Sequence, residues 1–243
     1  MKILSYNIAC MPRILNLFGK PCDRIEQINK YIYKQRPDIV CLQEVFSAAT
    51  VKSIKEYFGH KYFIYSYNDT YIRLDSGLLI ASKYPIIKQK VYIFKYSYGE
   101  DRFSHKGALV VDIIINNKRY SIVNTHLNAD PIFGYKNKAN TIRQKQIKQI
   151  SSIIKHKRRN NINNIILCGD FNIDFDDMDV IQPILDIYKY NVFNPTKIVT
   201  FSEEKVQLDY IIILQKTKPK YKPRYKRFIN TRLSDHYMIG LEI

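Results

Sequence analysis

No apolar run in the 243-residue chain approaches the ~18–20 residues needed to cross a bilayer as a helix, so no transmembrane segment is expected. There is no tryptophan, and the four cysteines (Cys10, Cys22, Cys41, Cys168) show no CxxC spacing. Neither an HxxxH pattern nor a Cys/His cluster occurs, which argues against a zinc site. Cys41 and Cys168 fall inside apolar, strand-like runs, where a buried, reduced thiol is expected, and this favours a reducing compartment. No basic stretch followed by an apolar one opens the chain, since Lys2–Ile8 already reads as a strand. The expectation is a soluble, intracellular protein, with the cytoplasm as its setting. Internal repeats, long low-complexity tracts and convincing linkers are also missing, so residues 1–243 read as a single domain.

Acidic residues are the scarcer charge, with 22 Asp and Glu against 39 Lys and Arg, a formal +17. Such a field attracts polyanions, either nucleic acid or an anionic membrane surface. Part of the excess has a compositional reading, because Lys, Asn, Ile and Tyr are all abundant, as a genome poor in G and C would make them. The densest basic segment, Lys216–Arg227 (KTKPKYKPRYKR), reads as a phosphate-tracking loop, a membrane-surface patch or a solvated connection. Oligomeric state is not legible.

What is present is a succession of strands. Strand patterns recur at Lys2–Ile8, Asp38–Leu42, Tyr62–Tyr65, Gly77–Ala81, Ile86–Phe94, Ala108–Ile115, Ser121–Thr125, Ile165–Cys168, Gln207–Ile213 and Tyr237–Ile243. Asn116-Asn117 reads as a tight hairpin turn between two of them. Helical stripes appear at Ile25, Ile28 and Ile32, after start signals at Pro21 and Asp23, and at Val51, Ile54 and Phe58. A third runs through Ala139, Ile142, Gln146, Ile150 and Ile153, with Ile147 and Ile154 widening it. So many strands with few helices do not fit a doubly wound parallel sheet. Two sheets packed face to face, with helices on their outer faces, fit better.

The polar residues at strand ends carry the chemistry. Asn7 closes the first strand and Glu44 the second. His126 closes Tyr120–Thr125, and Asp170 and Asn172 follow Ile165–Cys168. Asp209 and Asp235-His236 open the last two strands. One polar residue at a strand end is ordinarily a cap or a solvated turn. Eight of acid/base or metal-ligand type can instead converge along a common sheet edge. A Mg²⁺ ion needs only one or two carboxylates and keeps its waters, so Glu44 is the first choice of ligand. A histidine with an aspartate partner can deprotonate water at neutral pH.

In order, Ser5-Tyr6-Asn7-Ile8, Leu42-Gln43-Glu44, Thr125-His126-Leu127, Gly169-Asp170-Phe171-Asn172, Leu208-Asp209-Tyr210 and Ser234-Asp235-His236 resemble the motifs of the endonuclease/exonuclease/phosphatase superfamily. The resemblance spans almost the whole chain. It implies a four-layer α/β/β/α sandwich of two mainly antiparallel sheets and a metal-dependent phosphoric diester hydrolase. It further implies Glu44, Asn7 and Asp235 at a Mg²⁺ ion (Mn²⁺ or Ca²⁺ as substitutes), with Asn7 also beside the phosphate. His236 would be the general base oriented by Asp209, Asp170 and Asn172 would position water and phosphoryl oxygens, and His126 would stabilise the leaving group.

Within that superfamily the chain looks most like the neutral sphingomyelinase branch. Asn7-Ile8-Ala9-Cys10-Met11-Pro12, Arg24, Pro37–Phe46, Ser76–Ile86 and Lys106-Gly107 carry this likeness, with Lys106 as a candidate phosphate contact and Asp130 near an acid of that branch. Tyr6-Asn7 stands where abasic-site endonucleases carry Trp-Asn. No aromatic-tipped apolar hairpin, of the kind secreted bacterial sphingomyelinases insert into membranes, is legible. The expected substrate is a phospholipid or a small phosphodiester. The alternatives are DNA or RNA cleavage, and a non-catalytic phosphate-binding protein of the same fold.

Overall fold

The computed structural model describes residues 1–10, 22–67, 75–192, 197–218 and 222–243. Met11-Pro12, Pro21 and part of the Lys216–Arg227 segment therefore lie outside the described residues.

The chain opens with β1 (Lys2–Cys10), α1 (Ile25–Lys34), β2 (Ile39–Val45), α2 (Ala48–Phe58), β3 (Phe63–Ser66) and β4 (Leu79–Ser82). Next come β5 (Ile86–Ile93), β6 (Gly107–Ile115), β7 (Lys118–His126), the long α3 (Lys136–Arg159) and β8 (Asn164–Asp170). A one-turn α4 (Gln182–Leu185), β9 (Tyr190–Val192), β10 (Asp209–Gln215), β11 (Arg224–Phe228) and β12 (Met238–Glu242) close it. The first sheet has the order β11-β12-β1-β2-β4-β3 and the second β5-β6-β7-β8-β10-β9. Each contains a single parallel pair, β1 with β2 and β7 with β8. A helix-bearing connection links the strands of each parallel pair, as a parallel pairing requires.

Three apolar clusters hold the layers. Ile28 and Ile32 of α1, with Val51, Ile54 and Phe58 of α2, cover the outer face of the first sheet. Ile147, Ile150 and Ile154 of α3 cover the second. Between the sheets lie Ile3, Ile39 and Ile80 from one side and Leu109, Val111, Ile122 and Ile166 from the other. The four-layer α/β/β/α sandwich expected from the sequence is the architecture found. Its alternating burial arises because successive strand side chains point to opposite faces.

Polar groups also cross the central layer. Gln43 Nε2 donates to Asn124 Oδ1 at 2.7 Å, and Asn124 Nδ2 donates to the Leu42 and Leu79 carbonyls. On the second sheet's outer side Lys157 of α3 reaches the buried Asp112 carboxylate at 2.6 Å, which also accepts from Ser121. Asn116 and Asn117, both at positive φ, make the β6–β7 hairpin as expected.

Two strands and one disulfide depart from the sequence reading. β9 and β11 carry no expected strand, and Lys216–Arg227 is not simply a connection. Arg224–Phe228 pairs with β12 as an edge strand, its Lys226 bonded to Glu242 at 3.2 Å. Cys10 is bonded to Cys22 in a disulfide, whereas Cys41 and Cys168 are free and buried. The sequence showed no spacing that would pair the first two.

Candidate active site

Topology brings the polar residues together. β7 and β8 are parallel, so their C-terminal ends coincide and place His126 opposite Asp170. β10 runs antiparallel to β8, so its first residue, Asp209, also lies opposite Asp170. β12 is antiparallel to β1, which sets His236, just before β12, at the edge reached by the ends of β1 and β2. Strand ends of parallel partners and strand starts of antiparallel ones thus meet at one rim of the sandwich.

The backbone there is unusual. Gly169 has φ +143°, and a Cβ added to it would lie 1.9 Å from the Thr125 carbonyl oxygen. No other residue permits that approach of β8 to β7. Glu44 and Asn172 both have left-handed backbones, at φ +58° and +49°. Such conformations cost about 1–3 kcal/mol each and persist where surrounding structure imposes them.

Asp170 is the hub. Its Oδ2 accepts from Asn7 Nδ2 at 3.0 Å and lies 3.5 Å from His126 Nε2 and 3.6 Å from His236 Nε2. Its Oδ1 accepts from the Asn172 amide N–H at 2.9 Å, and Asn172 Nδ2 donates to the Leu127 carbonyl. The Asn7 carboxamide also donates to Glu44 Oε1 at 2.9 Å, linking the first sheet's carboxylate to the second's. His236 Nδ1 meets Asp209 Oδ2 at 2.8 Å, which turns Nε2 toward Asp170. Thr200 Oγ1 accepts from the Asp209 amide and holds the start of β10 in place.

Burial and charge set the proton positions. Burial alone would lower the His236 pKa, but the Asp209 and Asp170 carboxylates outweigh it and push it up to about 10. Burial raises Asp170 to about 6, despite the His236 charge. His126 is driven well below the usual histidine range by burial, by Lys106 and by His236, so its ring is neutral. Glu44 is raised, chiefly by burial and further by Asp235, while Asn7 and Lys106 oppose the rise.

Lys106, the candidate phosphate contact, lies beside His126 and is bound within the protein. Its buried ammonium reaches His126 Nε2 at 3.0 Å, the Leu127 carbonyl at 3.1 Å and Asp101 Oδ2 at 3.0 Å. An ammonium has three donors, and all three are engaged inside the protein. With Nε2 accepting from Lys106, the His126 proton lies on Nδ1. Asp130 stands apart, paired with Arg143 and Lys136 at the start of α3. The single Ser234 hydroxyl proton points to the Asn7 carbonyl at 2.7 Å or to Asp235 Oδ1 at 3.1 Å, the shorter contact being the one to Asn7. Asp101 and Ser234 were not singled out as site residues from the sequence. Ser234 was visible beside Asp235-His236, whereas Asp101 lies in a short 3₁₀ turn without a motif.

The donor set suits a hard cation. The ligand atoms of Asp170, Asp209 and His236 lie within 4.8 Å of one another. Among the described residues, buried Asp209 Oδ1 has no hydrogen-bond partner, so this carboxylate keeps an oxygen free to take a cation. Glu44 and Asp235 are the carboxylates that retain partial exposure. The expected set of Glu44, Asn7 and Asp235 therefore adjoins a second, more buried group of three. In that group the Asp209–His236 bond holds a proton and leaves Asp170 facing Glu44 through Asn7.

A face-to-face sandwich with carboxylates, histidines and carboxamides at one rim defines the class, a phosphoester hydrolase built around a hard divalent cation. The chain belongs to the Endonuclease/Exonuclease/phosphatase family, which matches residues 4–236. Sphingomyelinase C of Listeria ivanovii is 26% identical over 246 residues, 94% of this chain and 71% of that protein. Sphingomyelinase C of Bacillus cereus is 25% identical over 191 residues, 72% of this chain but 57% of that protein. The chain thus spans little more than half of the latter's length. Among solved structures, a beta toxin of Staphylococcus aureus aligns with TM-score 0.82 and 20% identity over 100% of this chain and 99% of that one. A beta-toxin mutant with bound magnesium ions aligns at 0.75 and 20% identity, over 99% and 98%. The sphingomyelinase-like branch is the region of the family that the chain is close to.

Proposed function

We propose that this chain is a Mg²⁺-dependent phosphodiesterase that hydrolyses a phospholipid or a related small phosphodiester. The observation that carries the mechanism is the alignment of Asp209, His236 and Asp170. Asp209 fixes the Nδ1 side of the ring, so Nε2 faces the rim where water and phosphate would sit. His236 takes a proton from water at Nε2 as the water oxygen bonds to phosphorus. The P–O bond on the opposite side breaks, and its oxygen leaves with the bonding pair and takes a proton from solvent water. Asp170 and Asn172 position the attacking water and a phosphoryl oxygen. Neutral His126 stands at the same rim and would stabilise the leaving oxygen through a proton on Nε2, with the Lys106 ammonium then held by the Leu127 carbonyl and Asp101.

Glu44, Asn7 and Asp235 would hold the cation, with Mn²⁺ or Ca²⁺ as substitutes of the same oxygen-preferring chemistry. A divalent ion held there would neutralise phosphoryl charge and offset the carboxylates that keep the proton on His236. Residues 1–243 are proposed to act as one domain, which the shared apolar layer between the sheets supports. The buried free thiols of Cys41 and Cys168 favour a reducing, cytoplasmic setting. The Cys10–Cys22 disulfide weighs against it, because disulfides persist in oxidising compartments.

The formal +17 favours one second reading, a nuclease. A parallel assay with Mg²⁺ against sphingomyelin vesicles, phosphoinositides, a chromogenic phosphodiester and supercoiled plasmid separates the two. Lipid turnover is expected, falling about 10²–10⁴-fold in His236→Ala and lost in Glu44→Ala or in EDTA. Undiminished turnover in His236→Ala would sink the mechanism. DNA cleavage alone, declining steeply with added salt, would establish the nuclease reading.

A further inference from the structure

Among the described residues, the four most exposed large apolar side chains belong to two joined loops. Ile132 and Phe133 are 80% and 86% exposed, and Tyr135 and Phe103 stand out beside them at 69% each. Residues 129–135 leave the rim just after His126-Leu127, and two independent sets of bonds fasten them to the turn at 98–103. Glu100 accepts from the Ile132 and Phe133 amides at 3.3 and 3.4 Å, and Tyr98 Oη accepts from the Tyr135 amide. Gly134, at φ +150°, lies so close to Tyr98 that a Cβ there would be 2.8 Å from Oη. Asp101 accepts from the Ala129 amide at 2.7 Å and pairs with Lys106, so the tip is tied to the site through one carboxylate.

Such a tip is not explained by packing, because its bonds spend the backbone groups and leave the side chains in solvent. Cations ring it. Lys138 lies over the Tyr135 and Tyr98 rings at 5.3 and 5.9 Å, and Lys145 over Tyr96 at 4.7 Å. The α3 helix that follows contains no acidic residue. Lys136, Lys138, Lys145 and Lys148 are all exposed along it. Beside α3, a groove against β5 adds Lys90 and Lys95.

We propose that residues 131–135, with Phe103, dock the protein on an anionic phospholipid bilayer. The aliphatic and aromatic tip enters the boundary between headgroups and acyl chains, and the lysines of α3 meet lipid phosphates. Apolar burial combined with basic charge is the chemistry that holds a protein in a membrane interface. A bilayer fits better than a second protein because the exposed apolar tip leads into a helix with exposed lysines and no acidic residue, the charge that an anionic lipid surface complements. This docking stands whichever phosphodiester is cut. It moves the membrane contact from the Lys216–Arg227 segment to the loop beside His126.

The absence of tryptophan supplies the reporter. The Phe133→Trp protein, carrying a single tryptophan, is mixed with vesicles of phosphatidylcholine alone or with three parts in ten phosphatidylserine, in EDTA so that no turnover occurs. The emission is expected to shift to the blue and to be quenched by brominated acyl chains, more strongly with phosphatidylserine present. Co-sedimentation of the otherwise unaltered chain is expected to fall at least tenfold in Ile132→Ser/Phe133→Ser. In Lys136→Gln/Lys138→Gln it should fall only on the anionic vesicles, with thermal melting confirming that both variants are folded. No sedimentation of the unaltered chain, binding unaffected by the Ser variant, or sedimentation of Phe133→Trp without an emission shift would each overturn the proposal. So would loss of a dimer, or of oligonucleotide binding, in the Ser variant, since either would assign the tip to another partner. Turnover enters none of these readouts, so failure here is distinct from failure of the catalytic reading.

Discussion

His236 sits between two carboxylates that hold its proton far above the usual range, at about 10 in the cation-free protein. The folded value is raised above the unfolded one of about 6.5. The stabilisation it carries is therefore fully present below about pH 6.5 and is lost as pH climbs through about 10. Histidine NMR of EDTA-treated protein should show His236 protonated at pH 8, and urea melts should weaken between pH 7 and 10. A His236 that titrates near 6.5 would remove the Asp209–Asp170 account of the site. Lys106 acts at the same scale through another residue. In Lys106→Met the His126 pKa is expected to rise, since one of the charges depressing it is gone. The rate should fall about 10²–10³-fold, the usual cost of a lost electrostatic contributor, with KM little changed. An unmoved His126 titration would make Lys106 merely structural.

At the scale of elements, the close pairing of β7 and β8 decides whether the rim exists. Gly169→Ala places a methyl group where the Thr125 carbonyl oxygen already is. The expected loss is about 3 kcal/mol or more in urea melts, the range of strain at a special backbone position. A loss below about 1 kcal/mol would mean that the two strands can part without cost. Much of this rim was legible in the sequence for a physical reason: a short apolar run ending in Asp, His or Asn marks a buried strand reaching solvent. What escaped reading lacked that contrast. Arg224–Phe228 is an edge strand whose charged residues match the basic surroundings, and β9 is only three residues long. The interior bridge of Gln43 to Asn124 is invisible because nothing in either strand announces which residue faces the other sheet. Asp101, which fixes Lys106, is set by a long-range fold and not by any local pattern.

For the whole molecule, the first sheet is closed covalently as well as by packing. Cys10 and Cys22, at a sequence separation of 12, join the end of β1 to the approach of α1. A cross-link over such a span is worth about 2–4 kcal/mol. The Cys10→Ser/Cys22→Ser protein and the unaltered chain in reductant should lose a similar amount in urea melts, while reductant should not weaken the double Ser variant further. Equal stability with and without reductant would show that the bond is not formed in solution. The two parallel pairs, β1 with β2 and β7 with β8, give the molecule its balance. One contributes Asn7 and Glu44, the other His126 and Asp170, and neither half holds a complete site.

Glu44 lies at φ +58°, a conformation that glycine or asparagine would occupy more comfortably. The residue best suited to the backbone is thus not the one found there. A sequence optimised for firmness alone would give this corner up to glycine and erase the carboxylate. Its presence marks the rim as the place where the chain accepts a weaker fold for the sake of chemistry. Searches for stabilising substitutions in this protein will therefore be drawn first to the position that its activity can least spare.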